Sequence, residues 1–374
     1  MITLIEFIIL FGAILLGIRY GGVALGMWGG LGLIVLSIGF GVVPTAPPID
    51  VMLIIFAVCM CAACMDSVGG LDILVRIAAR IIRKNPKYVA VVAPVVSFFL
   101  TFLSGTGNVV YAILPVIYEV SYNTNVRPER AMAGATVAGQ VGITACPISA
   151  AVAAMIGLLA QNGFEEIGLG SILMVTFPAC LIGVVVSSFI CMFLGKELKD
   201  DPEYLARVAA GQVIPPAPIV EKELPKEATV SVFVFFGAII VIVLAGFFPS
   251  LRVLPGQTSA ISMSLVIEAV MLGAGAIMCL LCKPDVQKIA HSPIMNAAVV
   301  SLAAVFGIAW MTDTFFLAHK AFVIDSLGGI VREYPILFAV MIFVMSALLL
   351  SQGATTRSIM PIGVSLGLPL GSLV

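Results

Sequence analysis

The sequence predicts an all-α polytopic membrane protein, and three observations lead to that fold class. Of its 374 residues, 61% are hydrophobic and only 10% are charged, whereas soluble domains carry roughly 25% charged residues. Apolar runs of about 20 residues, enough to cross a hydrocarbon layer of ~30 Å, recur along most of the chain. Two of the apolar segments also contain a polar, glycine-rich break. Together these features exclude an ordinary soluble domain.

Eight apolar segments are predicted to be membrane spans. The first follows no basic region and leads to no cleavage site of small residues, so it is interpreted as a retained span rather than a signal peptide. The second contains Gly26 and Gly30, a G-x-x-x-G spacing typical of close helix packing. The predicted spans are 2–18, 21–43, 50–68, 131–160, 171–194, 229–249, 262–282 and 293–312.

The distribution of basic residues predicts the orientation, because cytoplasmic loops are enriched in Lys and Arg. If the N-terminus lies outside and both broken segments re-enter the membrane, 15 of the 19 Lys and Arg residues face the cytoplasm and three face outside. If segment 89–120 crossed the membrane instead, that bias would weaken.

One long polar stretch, residues 196–228, divides the chain. Its charges are mixed, and the sequence PPAP within it blocks a regular helix. We therefore interpret it as a cytoplasmic linker between a first membrane repeat, residues 1–195, and a second, residues 229–374. The first repeat contains the broken segment 89–120 and the second contains 335–365.

The stretch FLSGTGNVVYAILP, residues 102–115, contains the first break. Gly105 and Gly107 interrupt the helix, so backbone N–H and C=O groups are freed where lipid offers no hydrogen-bonding partner. Ser104, Thr106 and Asn108 add polar side chains. The break therefore predicts half of a substrate or ion site; the alternative is a glycine kink stabilised by neighbouring helices.

A second break, in LLSQGATTRSIMP at residues 349–361, occupies the corresponding place in the second half. When the two segments are aligned on Pro115 and Pro361, Gly107 matches Gly353. Paired interrupted segments are typical of inverted-repeat transporters, so two re-entrant hairpins are predicted. The polar candidates of the second hairpin are Ser351, Gln352, Thr355 and Thr356.

A third break is predicted within segment 131–160, in the stretch GITACPISAAVAAM. Pro147 removes a helical hydrogen bond, and Thr144 and Ser149 flank it. This predicts a broken helix directly after the first hairpin; a simple proline kink is the alternative.

Several ionisable residues are candidate charge partners of the site. Arg83 and Arg127 lie near the predicted cytoplasmic ends of the first hairpin, and plain anchoring at the membrane surface is the alternative. Charged residues inside an apolar segment indicate function by default; these are Glu268, Asp313 and Arg357. The two histidines, His291 and His319, are predicted to lie in solvated loops.

No metal, cofactor or nucleic-acid partner is predicted, and no catalytic constellation is visible. Two cysteine groups have spacings that could hold a metal or a redox pair. No histidine lies near the first, and its surroundings are apolar, so we interpret these thiols as small buried side chains. The groups are Cys59, Cys61 and Cys64, and Cys279 with Cys282.

Ordered motifs throughout the chain resemble the anaerobic C4-dicarboxylate transporters, the Dcu family of bacterial inner membranes. They are GGLD at 69–72, RKNPKYV at 83–89, GTGN at 105–108, RPER at 127–130, CPISAAV at 146–152, GIAWMTDT at 307–314 and SQGAT at 351–355. The resemblance implies transport of fumarate, malate, succinate and aspartate, typically fumarate in and succinate out. It also implies an inverted-repeat ion-transporter architecture, with the substrate surrounded by residues 104–108, 144–149 and 351–356.

Members of that family continue past the second hairpin with a further broken helix and a final span. The chain is therefore expected to lack the C-terminal part. Two alternatives to antiport remain open: proton- or sodium-coupled symport of the same anions, and a transport-inactive membrane sensor or partner subunit. The oligomeric state is also left open.

Overall fold

The computed structural model of this protein is helical throughout its membrane region. It describes residues 2–105, 107, 109–149, 151–152, 155–156, 159, 164, 167–213, 216, 223–319, 322, 333–334, 336–349, 352–365 and 368. In this part of the chain, β structure is limited to one isolated antiparallel bridge between Val253 and Ala260. The predicted all-α class is therefore confirmed.

Four helices precede the first break. α4 is amphipathic: Leu74, Ala78 and Ile82 are buried along one side, while Arg80 and Lys84 are exposed. With 15 residues it is only about 22 Å long, and a polar face of this kind favours a position at the membrane surface. The four helices are α1 (Ile2–Tyr20), α2 (Ala24–Ile34, continued by a π-helical turn, Val35–Gly39), α3 (Ile49–Ser67) and α4 (Gly70–Lys84).

Helices α5 (Val89–Ser104), α6 (Val109–Asn123) and α7 (Pro128–Ala145) form the next unit. Small residues on α7 let its neighbours approach closely. A Cβ atom on Gly142 would lie 2.8 Å from the carbonyl oxygen of Phe98 in α5, and one on Gly139 would overlap Val110 of α6. As a result, α7 lies directly against both of the helices that flank the first break.

The polar stretch and the second half complete the fold. The polar stretch contains a short helix and ends at Pro225, because the next helix begins at Lys226, three residues before the predicted span. A π-helical turn, Val305–Ala309, joins the helix that ends at Ala304 to the helix that begins at Trp310. The helices are α8 (Leu169–Met192), α9 (Pro202–Ala209), α10 (Lys226–Phe247), α11 (Met263–Cys282), α12 (Val286–Ala290), α13 (Pro293–Ala304), α14 (Trp310–Ala318), α15 (Ile336–Leu349) and α16 (Gln352–Ser365).

Within the described residues, seven helical segments are long and apolar enough to cross a membrane: Ile2–Tyr20, Ile49–Ser67, Pro86–Ser104, Leu169–Met192, Lys226–Phe247, Met263–Cys282 and Val286–Ala318. The protein is thus a multi-pass membrane protein. The predicted span 21–43 is shorter than expected, since its helical part covers only Ala24–Gly39. Positive φ angles at Gly22 (54°) and Gly41 (72°) lie just outside this helix at its two ends.

Helix α2 crosses the π-helical turn of the second half at backbone contact distance. A Cβ atom on Gly29 would overlap the carbonyl carbon of Gly307, and one on Gly26 would overlap the carbonyl oxygen of Ala303. Gly30, the expected partner of Gly26, is different: a Cβ atom there would meet nothing within 4 Å. The G-x-x-x-G prediction is therefore wrong in its second member, because the crossing places Gly29 on the contact face.

Helix α7 also holds the end of α8. The side chain of Arg130, 7% exposed, donates to the carbonyl oxygens of Met192 (3.0 Å), Leu194 and Gly195 (2.8 Å), and pairs with Glu197 at 2.7 Å. Carbonyl groups at a helix C-terminus lack hydrogen-bonding partners within the helix, and this guanidinium provides the donors for them.

The glycine crossing predicts that Gly29→Ala destabilises the protein while Gly30→Ala does not. Overpacking costs about 1–3 kcal/mol, and the clash at Gly29 is with backbone that cannot rotate away. Melting temperatures of the two variants in detergent would measure the difference. Equal melting temperatures would contradict the crossing.

The helix-end contact predicts that Arg130→Met lowers stability by about 2 kcal/mol or more, because it removes charge-assisted hydrogen bonds to the carbonyl groups at the end of α8. Arg207→Met is the matched control: Arg207 is exposed and, among the described residues, pairs with Glu203, one turn earlier in α9, so its loss costs under about 0.5 kcal/mol. Thermal unfolding of both variants tests this, and an unchanged Arg130→Met would refute it.

Candidate functional site

The first break ends helix α5 at Ser104. Gly105 adopts a left-handed conformation, with φ at 75°, and its N–H donates to the carbonyl oxygen of Thr101 at 2.9 Å. Glycine reaches this conformation without the steric cost that a Cβ atom brings. The chain becomes helical again at Val109, where α6 begins. The predicted interruption of the helix therefore lies where the glycines indicated.

The helices on either side of this break form a hairpin whose two ends lie on the same side. Arg83, just before α5, pairs with Glu119, near the end of α6, at 2.9 Å. The 16 residues of α5 span about 24 Å, so the break lies that far from the ion pair. Arg83 therefore stabilises the base of the hairpin rather than its tip.

The predicted break after α7 lies beside this tip. Helix α7 ends at Ala145, and the backbone of Cys146 is extended. Ser149 starts the next helical stretch, since its Oγ accepts the N–H of Val152 at 3.2 Å. Cys146 is fully buried, and a Cβ atom on Gly105 would lie 2.8 Å from the side chain of Ile148. The two breaks are therefore in contact.

The second hairpin reaches the same region through Gln352, the first residue of α16. Its Nε2 donates to the backbone carbonyl oxygen of Gln140, in the middle of α7, at 3.1 Å. On the other side, the Nε2 of Gln140 lies 2.8 Å from where a Cβ atom on Gly107 would be. Gln140 thus lies between the tip of the first hairpin and the start of α16.

Three helix N-termini meet the stretch of α7 around Gln140 and Cys146. They belong to α6, whose described residues begin at Val109, to α16, whose described residues begin at Gln352, and to the helical stretch that includes Ala151 and Val152. A helix N-terminus presents free N–H groups and a partial positive charge. The Gln140 side chain is exposed, so protein does not seal this junction in the described part of the chain. Such an arrangement suits a small anion.

Comparison with known proteins identifies the family. The profile of the family described as "Anaerobic c4-dicarboxylate membrane transporter" matches residues 2–374. The chain belongs to this family.

Curated relatives of this family member agree with the assignment. "Anaerobic C4-dicarboxylate transporter DcuB" of Escherichia coli O157:H7 is 37% identical over 374 residues, which cover 98% of this chain and 84% of that protein. "C4-dicarboxylate transporter DcuA" of Helicobacter pylori (strain J99) is 36% identical over 95% of this chain and 80% of its own. The protein of the same name from Wolinella succinogenes is 35% identical, and the alignment covers 99% of this chain and 84% of that protein. All three are named as membrane transporters, not as enzymes.

The remaining predicted binding residues of this transporter lie on the same elements. Ser104, Pro147 and Thr355 are buried, and Thr144 is half-buried one turn beyond Gln140. The hydroxyl of Thr356 donates to the carbonyl oxygen of Gln352 within α16, at 2.9 Å. Gly353 and Arg357 are also part of α16. Thr106, Asn108 and Ser351 lie outside the described residues.

Arg127 is placed away from the junction. It pairs with Asp201 of the polar stretch at 2.9 Å, and it lies about 20 Å along α7 from Gln140. Burial acts to raise the pKa of Asp201, but the N–H groups of Glu203 and Tyr204, and then the guanidinium of Arg127, outweigh it and hold this pKa below its usual range. Arg127 therefore connects α7 to the polar stretch.

The acidic candidates lie on other helices. Glu268 is the sixth residue of α11, about 8 Å from its start, rather than in the middle of the span, and Asp50 of α3 is its charged neighbour. Asp313 is half-buried in α14 and has an interaction partner.

The prediction that His319 lies in a solvated loop is wrong. Its Nε2 approaches the carboxylate of Glu6 in α1 at 2.5 Å, and the two side chains are 14% and 4% exposed. The ring also stacks on Phe315, with centroids 4.5 Å apart. The approach of α1 to α14, invisible in the sequence, buries this pair.

Sequence reasoning also missed two features of the site region. Gln140 had a weak signal, as the only amide among the small residues of α7. Trp310 and Thr314, within the GIAWMTDT motif, fix the loop before α3: the Trp310 Nε1 donates to the Thr45 carbonyl oxygen at 2.6 Å, and the Thr45 N–H donates to the Thr314 Oγ1 at 3.1 Å. These contacts join residues more than 260 positions apart, so no local pattern could reveal them.

The cysteines give no sign of a metal centre in the part of the chain that the structure describes. All eight thiols are free, and the described residues contain no group of three or more His, Cys, Asp or Glu side chains that could hold a metal ion. Cys61, Cys64 and Cys282 are buried, whereas Cys279 is exposed.

The geometry of the first break predicts that Gly105→Ala loosens the contact between the two breaks. A residue with a Cβ atom pays roughly 1–2 kcal/mol in the left-handed region, and this atom would lie 2.8 Å from the Ile148 side chain. We expect faster alkylation of the buried Cys146 by N-ethylmaleimide, followed by peptide mass spectrometry.

The control is Gly211→Ala, since Gly211 also has a positive φ, 67°, but has open space around it in the polar stretch. This control has a similar backbone cost and should leave Cys146 protected. Equal alkylation rates in the two variants would disprove the contact.

Proposed function

We propose that this protein transports C4-dicarboxylates across the bacterial inner membrane, exchanging fumarate for succinate by alternating access. Malate and aspartate would share the site. The family assignment supports this substrate class, because relatives at 35–37% identity are named for C4-dicarboxylate transport. We further propose that the two halves are inverted repeats, each contributing one re-entrant hairpin.

The observation that carries the proposal is the meeting of three helix N-termini beside α7. A dicarboxylate carries two negative charges, and free backbone N–H groups bind carboxylate oxygens without requiring a cationic side chain. The polar groups contributed by Ser104, Gln140, Thr144 and Gln352 are neutral. A neutral site of this kind binds a dianion and still releases it, which an exchanger must do in every cycle.

The base of the first hairpin supports the proposed orientation, with the N-terminus outside. The Arg83–Glu119 pair lies where the chain enters and leaves the hairpin. Arg127 and Arg130, a few residues later, contact the polar stretch around Lys196 and Glu197. A re-entrant hairpin keeps all of these basic residues on one side, as the positive-inside rule requires.

Proton-coupled symport of the same anions is a second candidate. Glu268 is a carboxylate within the apolar helix α11, and Asp50 of the neighbouring helix α3 is a charged neighbour of it. An ionisable group within a membrane span is a candidate carrier of a coupled proton. The polar groups beside α7 would still hold the dianion.

Purified protein in liposomes distinguishes these mechanisms. Uptake of labelled fumarate should accelerate when succinate is inside the vesicle, and should remain when the membrane potential and the pH gradient are abolished by ionophores. Proteoliposomes without internal succinate are the matched control.

Uptake that needs a proton or sodium gradient, and that internal succinate does not stimulate, would replace exchange by symport. Protein that folds and inserts but carries no dicarboxylate under either condition would overturn transport and favour a sensor or partner subunit.

A further inference from the structure

Gln140 occupies a position that its role in helix packing does not explain. It is an exposed amide in α7, and its neighbours from Ala133 to Gly142 are all Gly, Ala, Val or Thr. In the described part of the chain, its carboxamide makes no hydrogen bond; only its backbone carbonyl does, to Gln352. An amide has two donors and an acceptor, so this side chain has unused capacity at the junction of both hairpins.

We propose that the Gln140 carboxamide binds the substrate directly, donating its Nε2–H to one carboxylate of the dianion. This inference rests on the proposed function and names the group that α7 contributes to the site. The contact fixes the position of that carboxylate relative to both hairpins. Gln140 is therefore an affinity- and specificity-determining residue.

The first argument is where the amide nitrogen lies. Gly107 provides the space for it, because a Cβ atom at that position would lie 2.8 Å from the Nε2 of Gln140. The described residues of α6 begin at Val109, two positions after this glycine. A carboxylate bound there can accept from the amide and from backbone N–H groups together, a geometry that strengthens anion binding.

The second argument is that Gln140 is held in place from the opposite side. Gln352 uses its own amide to bind the Gln140 backbone, so the start of α16 lies against the same turn of α7. The Gln140 side chain is thereby left for a ligand between the two hairpins. When either hairpin moves, the surroundings of this amide change, which is what a site reached alternately from two sides requires.

The charges described elsewhere do not substitute for this contact. Arg83 is paired with Glu119 at the base of the hairpin, and Arg127 is paired with Asp201 about 20 Å along α7. Neither guanidinium can reach a ligand at Gln140 without breaking its ion pair. Neither of these two paired guanidinium groups therefore provides the donor for a substrate carboxylate at this turn of α7.

Kinetics of fumarate exchange in liposomes test the role of the side chain. Gln140→Leu should raise the KM for fumarate by roughly 10- to 100-fold, the loss expected for one hydrogen bond to a charged group, with little change in maximal rate. Gln140→Glu should raise it further, because a carboxylate repels the substrate. The matched control, Gln257→Glu, adds the same charge in an exposed loop and should leave the KM unchanged.

Substrate protection provides a second readout that a purely structural role would not change. In Gln140→Cys, labelling by a membrane-impermeant methanethiosulfonate, corrected for the native thiols, should be slowed by fumarate but not by a monocarboxylate such as butyrate. Labelling of Gln257→Cys should be insensitive to both. If Gln140→Leu fails to fold, this protection measurement still tests whether the Gln140 side chain contacts the substrate.

The proposal is overturned if a folded Gln140→Leu keeps the wild-type KM, or if fumarate does not protect Gln140→Cys. Either result is possible while wild-type protein still exchanges dicarboxylates. The proposed role of Gln140 would then be refuted, whereas the proposed function would stand. Absence of exchange by wild-type protein would instead refute the proposed function itself.

Discussion

The structure depends on one constraint: backbone groups freed by a helix break inside an apolar layer must find partners within the protein. At the first break, the N–H of the left-handed Gly105 returns a hydrogen bond to the carbonyl oxygen of Thr101 in α5. At the break after α7, the Ser149 Oγ accepts the N–H of Val152. Each break therefore satisfies backbone groups locally, and the contact of Gly105 with the Ile148 side chain packs the two breaks together. The small residues of α7 allow it, since larger side chains would hold α5 and α6 too far away.

Along α7, charge and neutral polarity are separated. At its start, Arg127 and Arg130 bind the polar stretch and the end of α8, where water and carboxylates are available. About 20 Å further along, the polar groups are the amide of Gln140 and the hydroxyl of Thr144. Permanent charges are inexpensive near the surface and costly in the interior, so this gradient follows from the membrane itself. It also leaves the interior end suited to a ligand that brings its own charge and must leave again.

The crossing of α2 over the π-helical turn of the second half differs in kind from the contacts at the hairpins. Gly26 and Gly29 bring backbone against backbone at Gly307, with no flexible side chain between them. Packing of this density moves as a unit. The start of α16, in contrast, meets α7 through the Gln352 side chain, whose hydrogen bond to the Gln140 carbonyl oxygen can be exchanged for a contact to a ligand. A rigid crossing in one place and adaptable polar contacts in another are the two properties that alternating access combines.

The sequence by itself determined the membrane class, the helical fold, the family, and the positions of the first break and of the break after α7, because composition, apolar run length and glycine or proline placement act locally. Gly353, which the sequence predicts to break the second hairpin, lies within α16 instead. Tertiary structure alone decided which of these positions meet. It placed Gly29 rather than Gly30 on the crossing face, buried His319 against Glu6, and brought Gln140 between Gly107 and Gln352, which are more than 200 residues apart. Such contacts depend on how helices rotate and approach in three dimensions, and helix rotation leaves no trace in a uniformly apolar sequence whose faces differ little in polarity.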